Sequence, residues 1–547
     1  MTALINRNPN FPALRWRGST DSLARDEEGM RACLLKLDRP VWALQDGEQQ
    51  SLSGEDAFQD ASSPDNMEHH VLAYAPPLPL EALGDNAFRV WHGLRYACYL
   101  GSMANGLSSE EMVIAAGKAG MLASFGAAGL TPPRIEAAIE KIKSALPGGP
   151  YAFNLINSPN EPALEARAAD LYLKHGIHTV EASAYLILTV PLVLYRAAGL
   201  SRGEDGRVVI GNKIIAKLSR REVAQQFLEP APAEIINQLV QEKRITEEQA
   251  LLSQQVPMVD DITAEADSGG HTDNRPLVCM LPSILALRDE IQARRGYAQT
   301  VRVGAGGGIG TPAAALAAWS MGAAYIVTGS VNQACIESGA SAHTKNLLAQ
   351  AGMADVMMAP SADMFEMGVK VQLLKRGTLF PLRAQKLYEV YSRYASIEEI
   401  PSEEREKLEK TIFRRGLDEV WQDTVQFFRE RDPSQITRAE KDPRQKMALV
   451  FRWYLGLSSR WSVTGEKGRE MDYQIWCGPA MGAFNDWAQG TYLAAVENRR
   501  VVDIGLHILT GSAYLARLRA LAMSGVRLPA SLEHYTPSQP LAVPALV

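Results

Sequence analysis

Short apolar segments alternate with amphipathic ones from residue 94 onward, and this alternation restricts the fold more than any other feature. Apolar residues at three-and-four spacing, as in 132–146 and 162–176, predict helices between the apolar segments. A series of eight strand–helix units predicts a parallel α/β sheet closed into a (β/α)8 TIM barrel, and a doubly wound open sheet is the main alternative. The predicted strands are 96–103, 121–126, 151–156, 178–183, 207–219 with a leading hairpin, 262–267, 300–310 and 324–330.

Two local signals set helix ends within these units. Ser108 and Glu111 have the spacing of a capping box, which predicts that a helix begins at Ser108. Gly176 follows a periodic segment and is expected just after the end of a helix, where a left-handed backbone conformation favours glycine.

The two ends of the chain follow other patterns. Residues 1–85 are irregular and predict a small N-terminal cap with a few short strands, followed by the barrel over 86–330. Residues 331–547 predict a helical subdomain that acts as a lid and interaction region beside the barrel mouth. The basic residues of this part form either a cationic face for a dinucleotide phosphate or an acidic carrier protein, or an ordinary solvated helix face. They are Lys370, Lys375, Arg376, Arg383 and Lys386.

Charge, cysteine spacing and hydropathy exclude several classes of protein. The formal net charge of −6 gives no basic surface for nucleic acid. The 5 cysteines are far apart, which argues against a zinc site or a disulfide framework and fits a reducing cytoplasm. The longest apolar stretch, 182–195, is shorter than a membrane span and contains Pro191. With no secretory signal at the first residues, we expect a cytoplasmic protein without a membrane partner.

Glycine-rich turns follow the last two predicted strands. Strand seven ends in the run 304–311, and strand eight ends in Thr328-Gly329-Ser330. Glycines allow the backbone to approach an anion, and loops seven and eight are the usual phosphate site of such barrels. A dinucleotide-type turn is not met, because Ile309 stands where the third glycine belongs. The turn predicts phosphate binding, with a tight turn that has no ligand as the alternative.

A histidine follows the glycines after strand six. His271 comes directly after the stretch 267–270, Asp-Ser-Gly-Gly. An imidazole that changes charge near neutral pH suits general acid catalysis. A structural histidine that caps a loop is the alternative.

The order of these motifs resembles the superfamily of nitronate monooxygenases and FMN-dependent enoyl reductases: GSMANG, NLI, SGGH, GGGI and TGS. Four longer motifs resemble the PfaD family, which comprises trans-acting enoyl reductases of polyunsaturated fatty acid and polyketide synthases. They are KLSRREVAQQFLEPAP, MFEMGVKVQLLKRGTLFPLRAQKLYEVY, FRWYLGLSSRW and DYQIWCGPAMGAFNDW. The resemblance covers about 85–525, and the C-terminal motifs are more specific than any glycine run.

The resemblance implies an FMN site and assigns roles within it. Backbone groups of Met103 and Ala104 would touch the flavin ring, and Asn154 would bind its edge or the ribityl chain. His271 corresponds to the active-site histidine of the superfamily. The residues of the phosphate-side loops would be Ser268, Gly269, Gly306, Gly307, Gly308, Thr328, Gly329 and Ser330.

Four further side chains are candidates for flavin contact. The loop before SGGH is shorter than in many enoyl reductases of the superfamily, so either Glu265 or Asp267 would contact the flavin. The ammonium group of Lys213 is another candidate, with Lys217 nearby on strand five, although both also suit polar loop ends.

The function implied by the resemblance is reduction of the α,β double bond of an enoyl thioester on an acyl carrier protein domain, with FMN and NADPH and without a metal. A nitronate monooxygenase-type flavin oxidase is the alternative within the superfamily. A flavin-binding synthase partner without catalysis is the alternative from another class. The apolar C-terminal helices suggest a possible homodimer.

Overall fold

The computed structural model describes residues 15–55, 67–159 and 161–542. Eight parallel strands close into a barrel in the order β1 to β8, and Ile326 of the last strand pairs with Cys98 of the first. This confirms the predicted (β/α)8 fold and excludes the open sheet. The strands are β1 Cys98–Leu100, β2 Leu122–Phe125, β3 Ala152–Ile156, β4 Thr179–Ser183, β5 Lys213–Leu218, β6 Asp261–Glu265, β7 Arg302–Gly306 and β8 Ile326–Thr328.

Helices surround the barrel and account for its apolar strands. Every residue of β1, β2, β4, β7 and β8 is buried, as expected for a parallel sheet that is covered on both faces. The barrel helices are Glu110–Lys118, Pro132–Ala145, Pro162–Lys174, Val190–Ala198, Arg221–Leu228, Ala233–Gln241, Glu247–Ser253, Leu277–Arg295, Pro312–Ser320 and Ser330–Gln333. Before β5, Leu200–Arg202 and Val208–Ile210 form the expected hairpin.

The first barrel helix begins one residue later than the capping-box pattern predicts. Ser109, not Ser108, is the N-cap, and its side chain accepts a hydrogen bond from the Met112 amide. Ser108 instead accepts from the Met103 amide and donates to the Gly101 carbonyl, and so shapes the loop after β1. Gly176 has φ +61° just after a helix, as predicted.

The N-terminal part is a four-stranded antiparallel sheet, which agrees with the predicted strand-containing cap. Its buried residues pack on the long C-terminal helix Val501–Met523. Arg517 of that helix is buried and donates hydrogen bonds to three carbonyl groups at and beyond the C-terminal end of the helix Glu27–Leu35. The strands are Arg15–Gly18, Val41–Asp46, Gln49–Ser53 and Met67–Ala75, and a helix Asn86–His92 leads into the barrel.

The part after β8 is largely helical, with its own apolar core. Its helices are Ala342–Ala349, Phe380–Arg393, Ser402–Leu408, Leu417–Arg431, Pro433–Lys441, Pro443–Thr464, Ala480–Ala488 and Val501–Met523, with a π-helical turn at Glu409–Phe413. No helix within the described ranges is both long and apolar enough to span a membrane.

The expectation of helices alone after residue 331 is wrong at one place. Strands Val356–Pro360 and Lys370–Leu374 form a hairpin, and Gly270–His271 pairs with it as a third strand. We call 356–374 the mouth hairpin, because it pairs with the loop that follows β6 at the mouth of the barrel.

The basic residues of this part do not form one helix face. Lys370 begins a strand, whereas Arg383 and Lys386 lie on the following helix. Arg383 forms an ion pair with Asp472, and the Lys386 ammonium lies 2.6 Å from Glu404.

Candidate active site at the barrel mouth

The carboxyl ends of the barrel strands surround a cavity that we call the glycine-lined cavity. Gly101–Met103, Gly306–Ile309 and Thr328–Ser330 line it from the barrel, and Trp476–Ala480 contributes from the C-terminal part. This is the end of the barrel at which (β/α)8 enzymes place their active sites.

The glycines of this cavity have two different tasks. Gly307 has φ +82°, and a Cβ there would lie 2.6 Å from the carbonyl carbon of Ala266, so the loop is packed against β6. At Gly308 and Gly329 a Cβ would meet no described atom within 4 Å, so these positions face open space. Bare backbone beside open space is what close approach of an anionic group requires.

An unsatisfied donor faces the same cavity. Gln333 lines it, is 1% exposed, and its Nε2 has no hydrogen-bond partner among the described residues. A buried amide donor without a partner costs about 1–3 kcal/mol, so such a group indicates a ligand. Together with the open glycines, it fits the phosphate or ribityl oxygens of FMN.

A charge cluster joins β4, β5 and β6 beside the glycine-lined cavity. The Lys217 ammonium is 3.4 Å from a carboxylate oxygen of Glu181 and 3.4 Å from one of Glu265. Burial lowers the pKa of Lys217, but the two carboxylates outweigh burial and raise it. Lys217 therefore stays cationic and forms part of the wall of the glycine-lined cavity together with Glu265.

Glu181 itself is fully buried and fixes the loop after β1. It accepts hydrogen bonds from the Ser102 hydroxyl at 2.5 Å, from the Ser102 amide and from the Tyr99 hydroxyl. Ser102 lines the glycine-lined cavity, so Glu181 positions the cavity wall from beneath.

His271 lies in a second cavity beside the first. This cavity has a volume of about 320 Å³ and shares Lys217 and Glu265 with the glycine-lined cavity. The Nε2 of His271 is 3.2 Å from Oδ2 of Asp363 in the mouth hairpin. Burial lowers the pKa of His271, but the Asp363 carboxylate outweighs burial and raises it. The imidazole therefore keeps its proton to a higher pH than it would without Asp363.

The C-terminal segment Trp476–Ala480 closes the glycine-lined cavity by backbone contact. A Cβ at Gly269 would lie 2.8 Å from the Cys477 nitrogen, and a Cβ at Gly478 would lie 2.8 Å from the Gly269 nitrogen. The Gly478 amide also donates to the Ser330 hydroxyl at 2.9 Å. These contacts explain two glycines in loops far apart in the chain.

The structure brings most of the predicted cofactor residues together. The residues that line the glycine-lined cavity are Met103, Ser268, Gly269, Gly306, Gly307, Gly308, Thr328, Gly329 and Ser330. Their positions agree with the predicted site, and their contacts with FMN stay a prediction.

Four predicted residues lie elsewhere. Ala104 does not line the cavity, and its carbonyl accepts from the Leu107 amide. The Asn154 amide donates to the Glu181 carbonyl and to the Ser183 hydroxyl within the barrel. The Asp267 carboxylate is held by Asn274 and Gln372, so Glu265 and not Asp267 is the acidic residue at the cavity.

Lys213 is the clearest correction. It is the first residue of β5, at the end of the barrel opposite the mouth, and its ammonium donates to the Trp91 carbonyl and lies 4.9 Å from the Trp91 ring centroid. The hairpin before β5 leads into the strand at its amino end, so Lys213 lies away from the predicted flavin site.

Glu181, Gln333 and Asp363 were missed by the sequence argument. A signal existed for Glu181, because an acidic residue inside the apolar strand 178–183 is unusual unless it is paired. Gln333 and Asp363 lie outside the segments that the motifs marked, and only the tertiary structure brings them to the mouth.

Comparison with known proteins shows which family the chain belongs to. Residues 16–77 match the model of the fatty acid synthase subunit PfaD N-terminal domain, and 394–473 match the inserted helical domain of [acyl-carrier-protein] S-malonyltransferase. The solved enoyl reductase domain of MlnA, from the macrolactin biosynthesis cluster of Bacillus amyloliquefaciens, is 41% identical with a TM-score of 0.77. The match covers 81% of this chain and 100% of that one. The chain belongs to the PfaD family.

Curated relatives of this PfaD-family chain are parts of synthases. A polyunsaturated fatty acid synthase subunit of Thraustochytrium sp. is 50% identical over 501 residues, which are 90% of this chain and 33% of that protein. Polyketide biosynthesis protein PksE of Bacillus subtilis is 43% identical over 444 residues, which are 81% of this chain and 58% of that protein. The chain thus spans only part of the length of these relatives.

Proposed function

We propose that this chain is an FMN- and NAD(P)H-dependent enoyl reductase that acts in trans on enoyl thioesters of an acyl carrier protein domain. The observation that supports this most is the joining of two cavities through Lys217 and Glu265, one lined by open glycines and the other by His271. The similarity to a solved enoyl reductase domain supports the same reaction class.

The residues that would hold FMN follow from the glycine-lined cavity. Backbone amides around Gly308 and Gly329, with the Gln333 side chain, would bind the phosphate end. Lys217 would face the polar part of the ring, where a cation stabilises negative charge. When bound, FMN would supply transfer of a hydride from the nicotinamide to the β carbon of the double bond.

The proton that completes the reduction is the task of the protein. His271 would donate it to the α carbon or polarise the thioester carbonyl, since it lines the adjoining cavity. Asp363 favours the protonated imidazole. The segment Trp476–Ala480 forms one wall of the glycine-lined cavity, and with FMN bound it would help to exclude water, which strengthens each of these electrostatic interactions.

The experiment is anaerobic stopped-flow spectroscopy of the purified protein. A visible absorption band of oxidised flavin should bleach on addition of NADPH and return on addition of a crotonyl thioester. The His271→Ala variant should retain the flavin and its bleaching but lose reoxidation by the thioester. Rapid oxygen-dependent turnover of a nitronate without nicotinamide would instead support the oxidase alternative. Bound flavin with neither activity would support the non-catalytic synthase partner.

A further inference from the structure

The cavity that contains His271 has a mainly apolar wall that the proposed chemistry does not use. We call it the methionine-lined cavity. Its apolar lining combines barrel residues with residues of the mouth hairpin: Leu186, Leu218, Val223, Met358, Met364 and Val369. Leu218, Val223 and Met364 are buried, so the inner wall is well packed.

Size and shape allow this cavity to hold a small molecule. Its volume of about 320 Å³ is at the lower end of the range for ligand pockets. Methionine side chains are unbranched and adaptable, which suits a wall that must accept flexible hydrocarbon. An apolar wall on one side, with Lys217, Glu265 and His271 together where the two cavities meet, is the arrangement expected for a ligand with one polar reacting end.

The backbone where this cavity begins is unusual. Ala184, directly after β4, lines the cavity and has φ +62°, a left-handed conformation that residues with a side chain rarely adopt. The turn directs the chain so that Tyr185 and Leu186 also line the cavity. Strained backbone concentrates at ligand sites, which supports a binding role for this wall.

Three lysine and arginine side chains of the described residues line this cavity, and two of them are paired with carboxylates: Lys217 with Glu181 and Glu265, and Arg220 with Asp273. Arg220 makes two hydrogen bonds to the Asp273 carboxylate, at 2.8 and 2.9 Å. Lys370 also lines the cavity and is exposed. Because two of the three basic groups are neutralised by carboxylates, the cavity fits hydrocarbon better than the phosphates of a dinucleotide.

From these observations we propose that the methionine-lined cavity binds the acyl chain of the thioester, and that its apolar wall sets the preferred chain length. This rests on the proposed function and deepens it. The reacting double bond would lie where the two cavities meet, beside Lys217, Glu265 and His271, with the hydrocarbon tail along Met358, Met364 and Leu186.

The test narrows the cavity at a position that tolerates a larger side chain. Leu186 is 46% exposed, so Leu186→Trp should fold, and its indole should occupy part of the cavity. The neighbouring Ile187 is 64% exposed and does not line the cavity, which makes Ile187→Trp the matched control. Turnover is measured with crotonyl- and trans-2-decenoyl-pantetheine under saturating NADPH, and the KM for NADPH is measured separately at saturating crotonyl-pantetheine.

For Leu186→Trp, the ratio of kcat/KM for the decenoyl thioester to that for the crotonyl thioester should fall by about tenfold or more. The loss of a few apolar contacts with the substrate is enough to cause a change of this size. Ile187→Trp should keep the wild-type ratio. An unchanged ratio in Leu186→Trp would overturn the proposal, as would a raised KM for NADPH with unaltered acyl preference. The latter result would assign the cavity to the nicotinamide.

A binding measurement separates this inference from the proposed function. Decanoyl-pantetheine, a saturated thioester, should bind the flavin-loaded wild-type protein in calorimetry, and Leu186→Trp should weaken its binding by a similar factor. If the wild-type protein binds this thioester in the cavity but reduces no enoyl thioester, the proposed reaction fails and the cavity assignment stands. If it reduces crotonyl thioester but Leu186→Trp leaves both acyl preference and binding unchanged, only the cavity assignment fails.

Discussion

The Nε2 atom of His271 lies 3.2 Å from Oδ2 of Asp363, which joins the loop after β6 to the mouth hairpin. Burial raises the pKa of Asp363, but His271 and nearby hydrogen bonds outweigh burial and lower it to about 2. The carboxylate is therefore ionised throughout the range in which the histidine titrates. It favours the imidazolium, so His271 keeps its proton to a higher pH than an isolated histidine would.

Asp363→Asn should move the alkaline limb of the pH profile of kcat/KM to lower pH. Loss of the carboxylate removes the interaction that raises the pKa of His271, so the acid form is lost earlier as pH rises. Activity at pH 8 should fall more than activity at pH 6. The profile is measured with crotonyl thioester and NADPH.

The control for this profile is Glu366→Gln in the same hairpin. Glu366 lies 3.1 Å from Arg452 and forms its ion pair there, not with His271. Its removal should leave the alkaline limb in place. An unmoved limb in Asp363→Asn, or an equal shift in both variants, would contradict the role given to Asp363.

Gln333→Leu should weaken FMN binding without loss of stability in the FMN-free protein. The Gln333 amide is buried with an unpartnered Nε2 among the described residues, so its replacement by leucine removes a desolvation cost. The same change removes a donor to FMN, and a hydrogen bond to a charged group contributes about 1.5–3 kcal/mol, or roughly tenfold or more in Kd. Fluorescence titration gives the Kd, and urea unfolding gives the stability. Unchanged FMN affinity would separate Gln333 from the cofactor.

Gly478→Ala should destabilise the cover of the glycine-lined cavity. The new Cβ would lie 2.8 Å from the Gly269 nitrogen and 2.9 Å from the Ser268 carbonyl carbon, so backbone must shift. Overpacking of this kind costs about 1–3 kcal/mol, and FMN retention during gel filtration should fall with it. The control Gly456→Ala, on an exposed helical position without contacts at Cβ, should stabilise by about 0.5–1 kcal/mol.

The barrel could be predicted because its signals are local. Each strand is a short apolar run, each helix has an apolar face, and their order alone implies parallel pairing. The mouth hairpin had no such signal. Val371, Leu373 and Leu374 are buried, so the strand has no alternating pattern to separate it from the helix that follows at Phe380.

The residues of the candidate site could be predicted only in part, for a similar reason. Glycines in loops can be recognised in a sequence, because few other residues fit a left-handed turn or close backbone contact. The importance of Asp363 and Gln333 is visible only from their positions in the folded structure. No spacing in the sequence relates Asp363 to His271. Lys213 was misplaced because the segment 207–219 shows no clear boundary between hairpin and strand, and the structure shows that Lys213 begins the strand at its amino end.

Lys217→Met should destabilise the protein and weaken FMN binding. The change leaves Glu181, which is fully buried, and Glu265 without the cation that each contacts at 3.4 Å. Removal of one partner of a buried ion pair costs about 3–5 kcal/mol. Urea unfolding of the FMN-free protein checks this, and Lys217→Arg, which retains the charge, should lose less. Full stability in Lys217→Met would contradict the paired charge cluster.

Lys213→Met, on the same strand, should leave FMN binding unchanged, in contrast to Lys217→Met. Burial lowers the pKa of Lys213, so its charge is already disfavoured, and its partner is the Trp91 carbonyl at the far end of the barrel. We expect a loss of about 1–3 kcal/mol in unfolding free energy from the unpaired carbonyl, with an unchanged Kd for FMN. Fluorescence titration of both lysine variants makes the comparison direct. A rise in Kd for Lys213→Met that equals that of Lys217→Met would show that flavin affinity follows barrel stability rather than contact at the mouth.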